Sequence, residues 1–229
     1  MSTASGKKQL VVFIGPPGSG KGSLSQLCVQ NFGWKQLSTG YLCRKHINEQ
    51  TEIGQQIDFS IKSGKLVSDS LIVRMVEEWL IEPSLEVPHI ILDGFPRNVS
   101  QAEALHAMIV EKLSDFQLTV FKFFVSDEVV ARRLLTRFIC ENKDCQAVYS
   151  DQAGGVNPKV SGVCDYCSSC LVKRNDDEEQ TIINRLKTYR MHEHELISFY
   201  KTRGLPVNEI DAERSLEGVF KIFKNMVFG

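Results

Sequence analysis

The sequence predicts a doubly wound α/β fold, in which helices cover both faces of a parallel sheet. Short apolar runs alternate with amphipathic stretches along most of the chain. The run Leu118–Val125 is almost continuously apolar, which is typical of a parallel strand buried on both faces. A Gly-rich segment at 15–23 lies between a strand-like run and a helix-like stretch. Such folds bind nucleotide phosphates at this kind of turn, at the carboxyl ends of their strands.

Length, charge and cysteine content narrow the class of protein. The chain has 229 residues, enough for one α/β domain with insertions, and a formal net charge of −1 that favours neither a nucleic-acid nor a membrane partner. No apolar run approaches the ~20 residues that span a bilayer. Residues 1–8 are polar and do not resemble a targeting segment, so we expect a cytoplasmic location. In that compartment seven cysteines indicate metal ligands or core thiols rather than disulfides.

The first third of the chain opens with a strand and continues with helices. Five apolar residues in a row predict the first strand at Leu10–Ile14. A helix follows from Ser23 to about residue 32, and Gly33 is its expected C-terminal stop. A polar segment comes next, followed by isoleucines at helical spacing over 53–61, with Gly64 ending that helix.

The middle of the chain repeats the alternation. Ser68 and Asp69 open a helix, and His89–Leu92 is a second strong strand. Ser100 and Glu103 have the spacing of a capping box, which predicts that a helix begins there. After the strand at 118–125, Ser126 begins another helix, which we expect to continue through Arg137.

Residues 140–175 break this pattern, because they carry Gly, Cys and Asp with little apolar periodicity and no evident apolar core. We interpret them as a separate small lobe. The regular pattern then resumes. The remaining predicted elements are a long helix opened by Asp176–Glu179 and ending near Gly204, a strand at Leu205–Ile210, and a helix from Ser215 to about Met226.

The segment Gly15-Pro16-Pro17-Gly18-Ser19-Gly20-Lys21-Gly22-Ser23 has the composition of a phosphate-binding loop. Its glycines allow backbone N–H groups to turn inward around an anion, and the following helix adds positive charge at its N-terminus. Lys21 at a helix start opposes the helix dipole unless an anion offsets that cost, which favours phosphate binding over a plain turn. Gly22 stands where the general loop motif has a hydroxyl, and Ser23 follows one residue later.

Arginines are abundant, but no general base stands out. The five histidines are scattered and none lies in a motif. Phosphoryl transfer needs positioning and charge neutralisation, and a phosphate acceptor, being already ionised, needs no base. The sequence therefore favours transfer from one phosphate to another. The candidate arginines are Arg97 after a strand end, Arg133 and Arg137 with the four-residue spacing of one helix face, and Arg174 and Arg185 near the long helix. Asp93, at a strand end, is the candidate Mg²⁺ partner, directly or through water.

Taken together, these motifs resemble the adenylate kinases, within the nucleoside monophosphate kinases. The matching segments, in order, are Gly15–Ser23, Ser38-Thr39-Gly40 with Arg44, Gly64-Lys65-Leu66-Val67, Asp93-Gly94-Phe95-Pro96-Arg97 with Gln101, Arg133 and Arg137, Arg174-Asn175-Asp176-Asp177 with Arg185, and Val207–Asp211. The resemblance covers almost the whole chain. It implies a five-stranded sheet, a core of 1–37, 68–136 and 177–229, an AMP-binding segment at 38–67 and a lid at 137–176. It also suggests a monomer.

The resemblance further implies the reaction ATP + AMP ⇌ 2 ADP with Mg²⁺, and a role for each matched residue. The catalytic group would be Lys21, Arg97, Arg137, Arg174 and Arg185. ATP would be held by Gly18, Ser19, Gly20, Lys21, Gly22 and Ser23, with Arg133 and Arg137. AMP would be held by Thr39, Arg44, Val67, Gly94, Arg97 and Gln101, with Arg174 and Arg185.

Two alternatives remain open at this point. One is a kinase for another nucleoside monophosphate, or one that uses GTP as donor. The other is a P-loop switch or a zinc-ribbon protein that binds nucleic acid. A guanine-binding Asn-Lys-x-Asp motif is not matched, because Asn142-Lys143-Asp144 lacks the spacer. The lobe also carries more acidic residues than a nucleic-acid reader should.

The cysteines of the lobe form two pairs. Cys140 and Cys145 enclose four residues, Cys164 and Cys167 enclose two, and 18 residues separate the pairs. This spacing predicts a structural Zn²⁺ site of four thiolates, which would stabilise a lobe too small for a large core. Cys170 repeats the second spacing and could replace a ligand. The alternatives are reduced cysteines without metal, or a disulfide.

Overall fold

The computed structural model describes residues 8–62, 67–82, 87, 89–142, 145, 147–150, 155–174 and 177–228. In chain order the elements are β1 (Lys8–Ile14), α1 (Lys21–Phe32), β2 (Lys35–Ser38), α2 (Thr39–Asn48), α3 (Glu52–Lys62), α4 (Asp69–Leu80), β3 (His89–Asp93), α5 (Val99–Lys112), β4 (Phe116–Phe124), α6 (Asp127–Leu135), β5 (Arg137–Cys140), β6 (Val148–Ser150), β7 (Leu171–Lys173), α7 (Glu179–Thr202), β8 (Val207–Asp211) and α8 (Leu216–Phe228).

Five strands form one sheet in the order β2-β3-β1-β4-β8. Strand β3 pairs in parallel with β1 and with β2, and in the second pair Ser38 lies opposite Asp93. Strands β2 and β3 therefore end together. The five-stranded parallel sheet with helices on both faces confirms the predicted doubly wound fold.

The chain divides into two compact units, and the first consists of Met1–Ile14, Phe32–Phe121 and His194–Val207. Its core includes the apolar residues of β1, of which none is more than 2% exposed. The rings of Trp34 and His89 stack with centroids 4.8 Å apart at the start of β3. Continuous burial along β1 is typical of a parallel strand covered on both faces. The prediction of such burial for Leu118–Val125 holds only in part, because Phe124 of β4 is 45% exposed.

The second unit consists of Gly15–Asn31, Lys122–Glu193 and Asn208–Gly229. It contains a three-stranded antiparallel sheet in the order β6-β5-β7, which corresponds to the predicted small lobe. The lobe has a small core after all, in contrast to the expectation from its sequence. Its buried members are Cys140, Ala147, Tyr149 and Cys164, with Phe138 and Leu171 packed against them.

Two local predictions are wrong, and one strand was missed. Helix α6 ends at Leu135, and Arg137 begins β5, so Arg133 and Arg137 do not share a helix face. Helix α5 is capped by Asn98, whose side chain accepts from the Gln101 amide, and Ser100 lies inside the helix rather than at its cap. The edge strand β2 was not predicted.

Two further sequence features can be placed only in part. The long helix begins at Glu179, later than expected, and Asp176 lies outside the described residues. Gly64, the predicted stop of α3, also lies outside them. Among the described helices, none is long and apolar enough to cross a membrane.

Candidate active site

The Gly-rich loop lies between β1 and α1 and encloses the ammonium group of Lys21. Lys21 Nζ donates to the carbonyl oxygens of Gly15 at 2.8 Å and Pro16 at 2.7 Å, and lies 3.1 Å from Ser19 Oγ. Lys21 lies at the end of this loop, and its ammonium group folds back onto the beginning of the same loop. Such a loop presents backbone N–H groups and a fixed cation to an anionic group.

Backbone geometry explains two glycines of this loop. Gly18 and Gly20 have positive φ angles of 80° and 89°, in the region that only glycine adopts readily. A Cβ on Gly18 would also lie 2.9 Å from Leu134 Cγ of α6. Gly22 and Ser23 lie in the first turn of α1, directly after Lys21. The structure thus brings Gly18, Ser19, Gly20, Lys21, Gly22 and Ser23 together around one turn.

Two of the predicted arginines of the second unit converge on Asp177. Arg137 donates from Nε at 2.7 Å and from Nη2 at 2.5 Å, and Arg185 Nη1 lies 3.4 Å from the same carboxylate. The Asp177 side chain is only 5% exposed. A buried carboxylate that joins two guanidinium groups fixes both of them. Asp177 was not predicted as a site residue, although it lies in the matched Arg174–Asp177 segment.

Arg133 and Arg174 occupy other positions in the second unit. Arg133 lies in the last turn of α6 and is half-buried. Burial lowers the pKa of its guanidinium group, which the nearby Glu213 carboxylate partly offsets. Arg174 directly follows β7 and is half-buried.

In the first unit, Thr39, Gly94 and Arg97 meet at the ends of β2 and β3. Thr39 Oγ1 donates to the Gly94 carbonyl at 2.9 Å, and Arg97 Nε donates to the same oxygen at 2.8 Å. The peptide bond between Phe95 and Pro96, inside this turn, is cis. Arg97 is exposed, whereas Thr39 is buried. The turn therefore presents the Arg97 guanidinium group to solvent, and the Gly94 carbonyl that it contacts is also held by Thr39.

Gln101 is 4% exposed, and both ends of its amide are engaged. Its Oε1 accepts from the Arg97 amide at 2.8 Å, and its Nε2 donates to Asp69 Oδ1 at 2.7 Å. The other Asp69 oxygen accepts from Asn98 Nδ2 at 2.8 Å. Asp69 thus accepts hydrogen bonds from both Gln101 and Asn98. The sequence predicted only that a helix begins at this residue.

The remaining predicted residues of the first unit lie nearby along the same elements. Arg44 is on α2, and its guanidinium group lies beside Gly40. A Cβ added to Gly40 would be 3.3 Å from Arg44 Nη1. Asp93 is the last residue of β3, and its Oδ2 is 3.4 Å from Gln36 Nε2. Val67 is half-buried and comes shortly before α4.

The four predicted metal ligands come together in the lobe. The sulfur atoms of Cys140, Cys145, Cys164 and Cys167 all lie within 4.8 Å of one another. Two of these pairs are Cys140 with Cys167 at 3.3 Å and Cys145 with Cys164 at 3.6 Å. Tetrahedral zinc with bonds of about 2.3 Å needs sulfurs about 3.8 Å apart, so the group fits that ion. Cys170 is exposed and outside this group.

Backbone amides support the thiolate form at the second pair. Hydrogen bonds from the Ser169 side chain and amide lower the pKa of Cys167 to about 6. Burial acts to raise the pKa of Cys164, but the Tyr166 amide and other donors outweigh it and lower that pKa. At the first pair, burial raises the pKa of Cys140 and of Cys145. All seven cysteines are free thiols.

A lysine-bearing phosphate loop after the first strand of a doubly wound sheet, together with arginines, is typical of a nucleoside monophosphate kinase, a phosphotransferase with a phosphate group as acceptor. Comparison with known proteins agrees with this class. The family profile described as "Adenylate kinase" matches residues 13–205.

Individual relatives match over almost their whole length. The chain is 39% identical to an adenylate kinase of Treponema denticola over 93% of this chain and 96% of the relative. It is 35% identical to the adenylate kinases of Borreliella burgdorferi and Archaeoglobus fulgidus, in each case over 92% of this chain and 94% of the relative. The chain therefore belongs to the adenylate kinase family and functions as an adenylate kinase.

Proposed function

We propose that this protein transfers the terminal phosphoryl group of ATP to AMP, reversibly and with Mg²⁺, and forms two molecules of ADP. The observation that carries the proposal is the Lys21 ammonium group, held at 2.7–2.8 Å from two carbonyls of the Gly-rich loop. A fixed cation in a Gly-rich loop at the start of a helix suits the charge that develops on a transferring phosphoryl group. The reaction maintains the balance among the adenine nucleotides.

The donor nucleotide is assigned to the second unit. The loop amides at 18–23 and Lys21 bind the ATP phosphates, and Arg133 packs on the adenine. Arg137, Arg174 and Arg185 neutralise the charge on the phosphoryl group in flight. Support comes from Asp177, which holds two of these arginines in fixed orientations without nucleotide. Preorganised charges of this kind need no reorganisation when the reaction occurs.

The acceptor nucleotide is assigned to the first unit. Arg44 and Arg97 bind the AMP phosphate, while Thr39, Gln101 and the backbone near Val67 and Gly94 recognise the base. The Gln101 amide is engaged by Asp69 and by the Arg97 backbone. Its Nε2 has a second hydrogen and its Oε1 a second lone pair, so Gln101 can keep both bonds while it forms a hydrogen bond to the base.

The proposal also includes a magnesium ion and two segments that close over the nucleotides. Asp93 offers a half-buried carboxylate at a strand end, the oxygen ligand that Mg²⁺ prefers, directly or through water. Bound Mg²⁺ would neutralise phosphate charge. Residues 38–67 are assigned as the AMP-binding segment and 137–176 as the lid, with the core at 1–37, 68–136 and 177–229. Their closure excludes water, which would otherwise hydrolyse ATP.

The lobe is assigned a structural Zn²⁺ ion, held by Cys140, Cys145, Cys164 and Cys167. Four thiolates leave no open coordination position, so the ion stabilises the lobe and takes no part in the chemistry. The free thiols and the family resemblance favour a cytoplasmic monomer that binds nucleotides and neither nucleic acid nor membrane.

Substitution of Lys21 tests the donor site. We expect Lys21→Met to lower kcat by at least about 100-fold, the usual loss when a preorganised charge is removed from a transition state. Lys35→Met is the matched control, because Lys35 is exposed at the start of β2. Equal activity of the two variants would overturn the assignment of Lys21.

A further inference from the structure

Tyr149 lies at the centre of β6, opposite Phe138 of β5, and its side chain is 1% exposed. It belongs to the small core of the lobe, together with two of the cluster's cysteines. A phenol hydroxyl buried at such a place needs hydrogen-bond partners, because an unsatisfied one would destabilise the lobe.

The described part of the chain provides two partners, and both belong to the second cysteine pair. The Asp165 amide donates to Tyr149 Oη at 2.8 Å. The same oxygen lies 3.6 Å from Cys164 Sγ, within the range of hydrogen bonds to sulfur. Tyr149 thus reaches from the strand that follows the first pair to the backbone and sulfur of the second.

The direction of the second bond follows from the protonation of its two partners. An amide N–H can only donate, so Tyr149 uses a lone pair towards Asp165 and keeps its own proton for another acceptor. A metal-bound cysteine is a thiolate, which has no proton and can only accept. We propose that the Tyr149 hydroxyl donates a hydrogen bond to the Cys164 sulfur and so stabilises the metal-bound state of the four-cysteine cluster.

The proposal rests on the zinc site assigned above. Four thiolates around one divalent ion carry a net charge of −2, and a hydroxyl that donates to one sulfur disperses part of it in a poorly solvated place. Outer-shell partners of this kind commonly change metal affinity by about 10–100-fold. Tyr149 acts through Cys164, so it is a positioning residue of the site and not a ligand.

The test compares zinc retention in the wild-type chain, Tyr149→Phe and Tyr166→Phe. The first variant removes one hydroxyl and keeps the buried ring, whereas Tyr166 lies in the second pair with 59% of its surface exposed. After elemental analysis of the zinc content, each protein is mixed with a colorimetric chelator, without nucleotide. We expect Tyr149→Phe to bind zinc about 10–100-fold more weakly than the wild type, and Tyr166→Phe to match the wild type.

Retention by Tyr149→Phe within twofold of the wild type would overturn the inference. A wild-type protein that binds no zinc would overturn the zinc site itself, and the initial metal analysis distinguishes that outcome. Substitution with Co²⁺ gives a readout independent of affinity. Loss of a hydrogen bond to sulfur should move the thiolate-to-cobalt absorption to lower energy in Tyr149→Phe, and an unchanged spectrum would contradict the proposal.

Discussion

The buried carboxylate of Asp177 joins two arginines that lie far apart in sequence. One partner, Arg137, begins β5, and its side chain is 12% exposed. The other partner, Arg185, lies within α7. A buried ion pair of this kind orients the arginine side chains, but its net contribution to the stability of the fold is often small. Removal of Asp177 is costly all the same, because the largely buried Arg137 guanidinium group loses this carboxylate.

We therefore expect Asp177→Ala to lower the free energy of unfolding by about 3–5 kcal/mol in urea titrations without nucleotide. The matched control is Asp127→Ala, which breaks the exposed pair of Asp127 with Arg190, 2.7 Å long. This control should cost about 1 kcal/mol or less, and its effect should shrink at high salt. Similar losses in the two variants would show that Asp177 is not held as described.

Gly54 marks the close contact between α2 and α3. A Cβ there would overlap the carbonyl of His46 and lie 2.7 Å from the backbone nitrogen of Ile47. Backbone atoms of a helix end cannot move aside as a flexible side chain can. We expect Gly54→Ala to destabilise the protein by about 1–3 kcal/mol, measured by thermal unfolding.

Gly218→Ala provides the control for this effect. A Cβ on Gly218, near the start of α8, meets the side-chain atoms Ser215 Oγ at 3.3 Å and Arg214 Cβ at 3.6 Å, and no backbone of another element. Alanine also has the higher helix propensity, so this variant should be neutral or slightly stabilising. A stable Gly54→Ala variant would contradict the described packing of α2 against α3.

At the scale of elements, α7 contains two tyrosines with contrasting hydroxyl groups. Tyr189 Oη donates to Glu193 Oε1 at 3.0 Å. Tyr200 is 1% exposed, and among the described residues its hydroxyl has no hydrogen-bond partner. Tyr189→Phe should therefore cost about 1.5–3 kcal/mol, as expected for a bond to a charged group, whereas Tyr200→Phe should be neutral or stabilising. Denaturant unfolding of the pair tests this, and a larger loss for Tyr200→Phe would contradict it.

The small lobe contains the four-cysteine cluster. We expect Cys145→Ser to lose the metal and to lower the thermal unfolding midpoint by several degrees, because a small core alone stabilises such a lobe poorly. Cys170→Ser is the control, since Cys170 is exposed and outside the group of four. Zinc analysis and calorimetry of both variants test the assignment, and loss of zinc from Cys170→Ser alone would reverse it.

The same elements show what local sequence patterns can predict. β1 and β3 were predicted because their apolar runs are determined by burial on both faces. β2 was not, because the segment Lys35–Ser38 buries only Leu37 and becomes a strand through its pairing with β3. The start of β5 at Arg137 also escaped, because Arg137 has the four-residue spacing from Arg133 that fits a continued helix.

Some site residues could likewise be predicted from a local sequence pattern, and others could not. The phosphate loop was predictable because glycine, lysine and a strand–helix boundary coincide within nine neighbouring positions, 15–23. Asp69 and Asp177 were not predicted as site residues, because their roles consist of hydrogen bonds to Gln101 and Arg137, at separations of 32 and 40 residues. Contacts at such separations depend on the complete fold.

At the scale of the whole molecule, the parts of a phosphoryl-transfer enzyme are distributed over the chain. The second unit contains the phosphate loop and the arginines joined by Asp177, and the first contains the turn of Thr39, Gly94 and Arg97. None of the five histidines lies in a sequence motif for a general base, which suits an acceptor that is already ionised. The central claim is that this acceptor is AMP.

The most direct test is a coupled assay of ADP formation from ATP and Mg²⁺, run in parallel with AMP, GMP, UMP and CMP as acceptors. We predict rapid turnover with AMP, two molecules of ADP for each ATP consumed, and little activity with the other three monophosphates. A preference for any other acceptor, or ATP consumption that does not require AMP, would contradict the account.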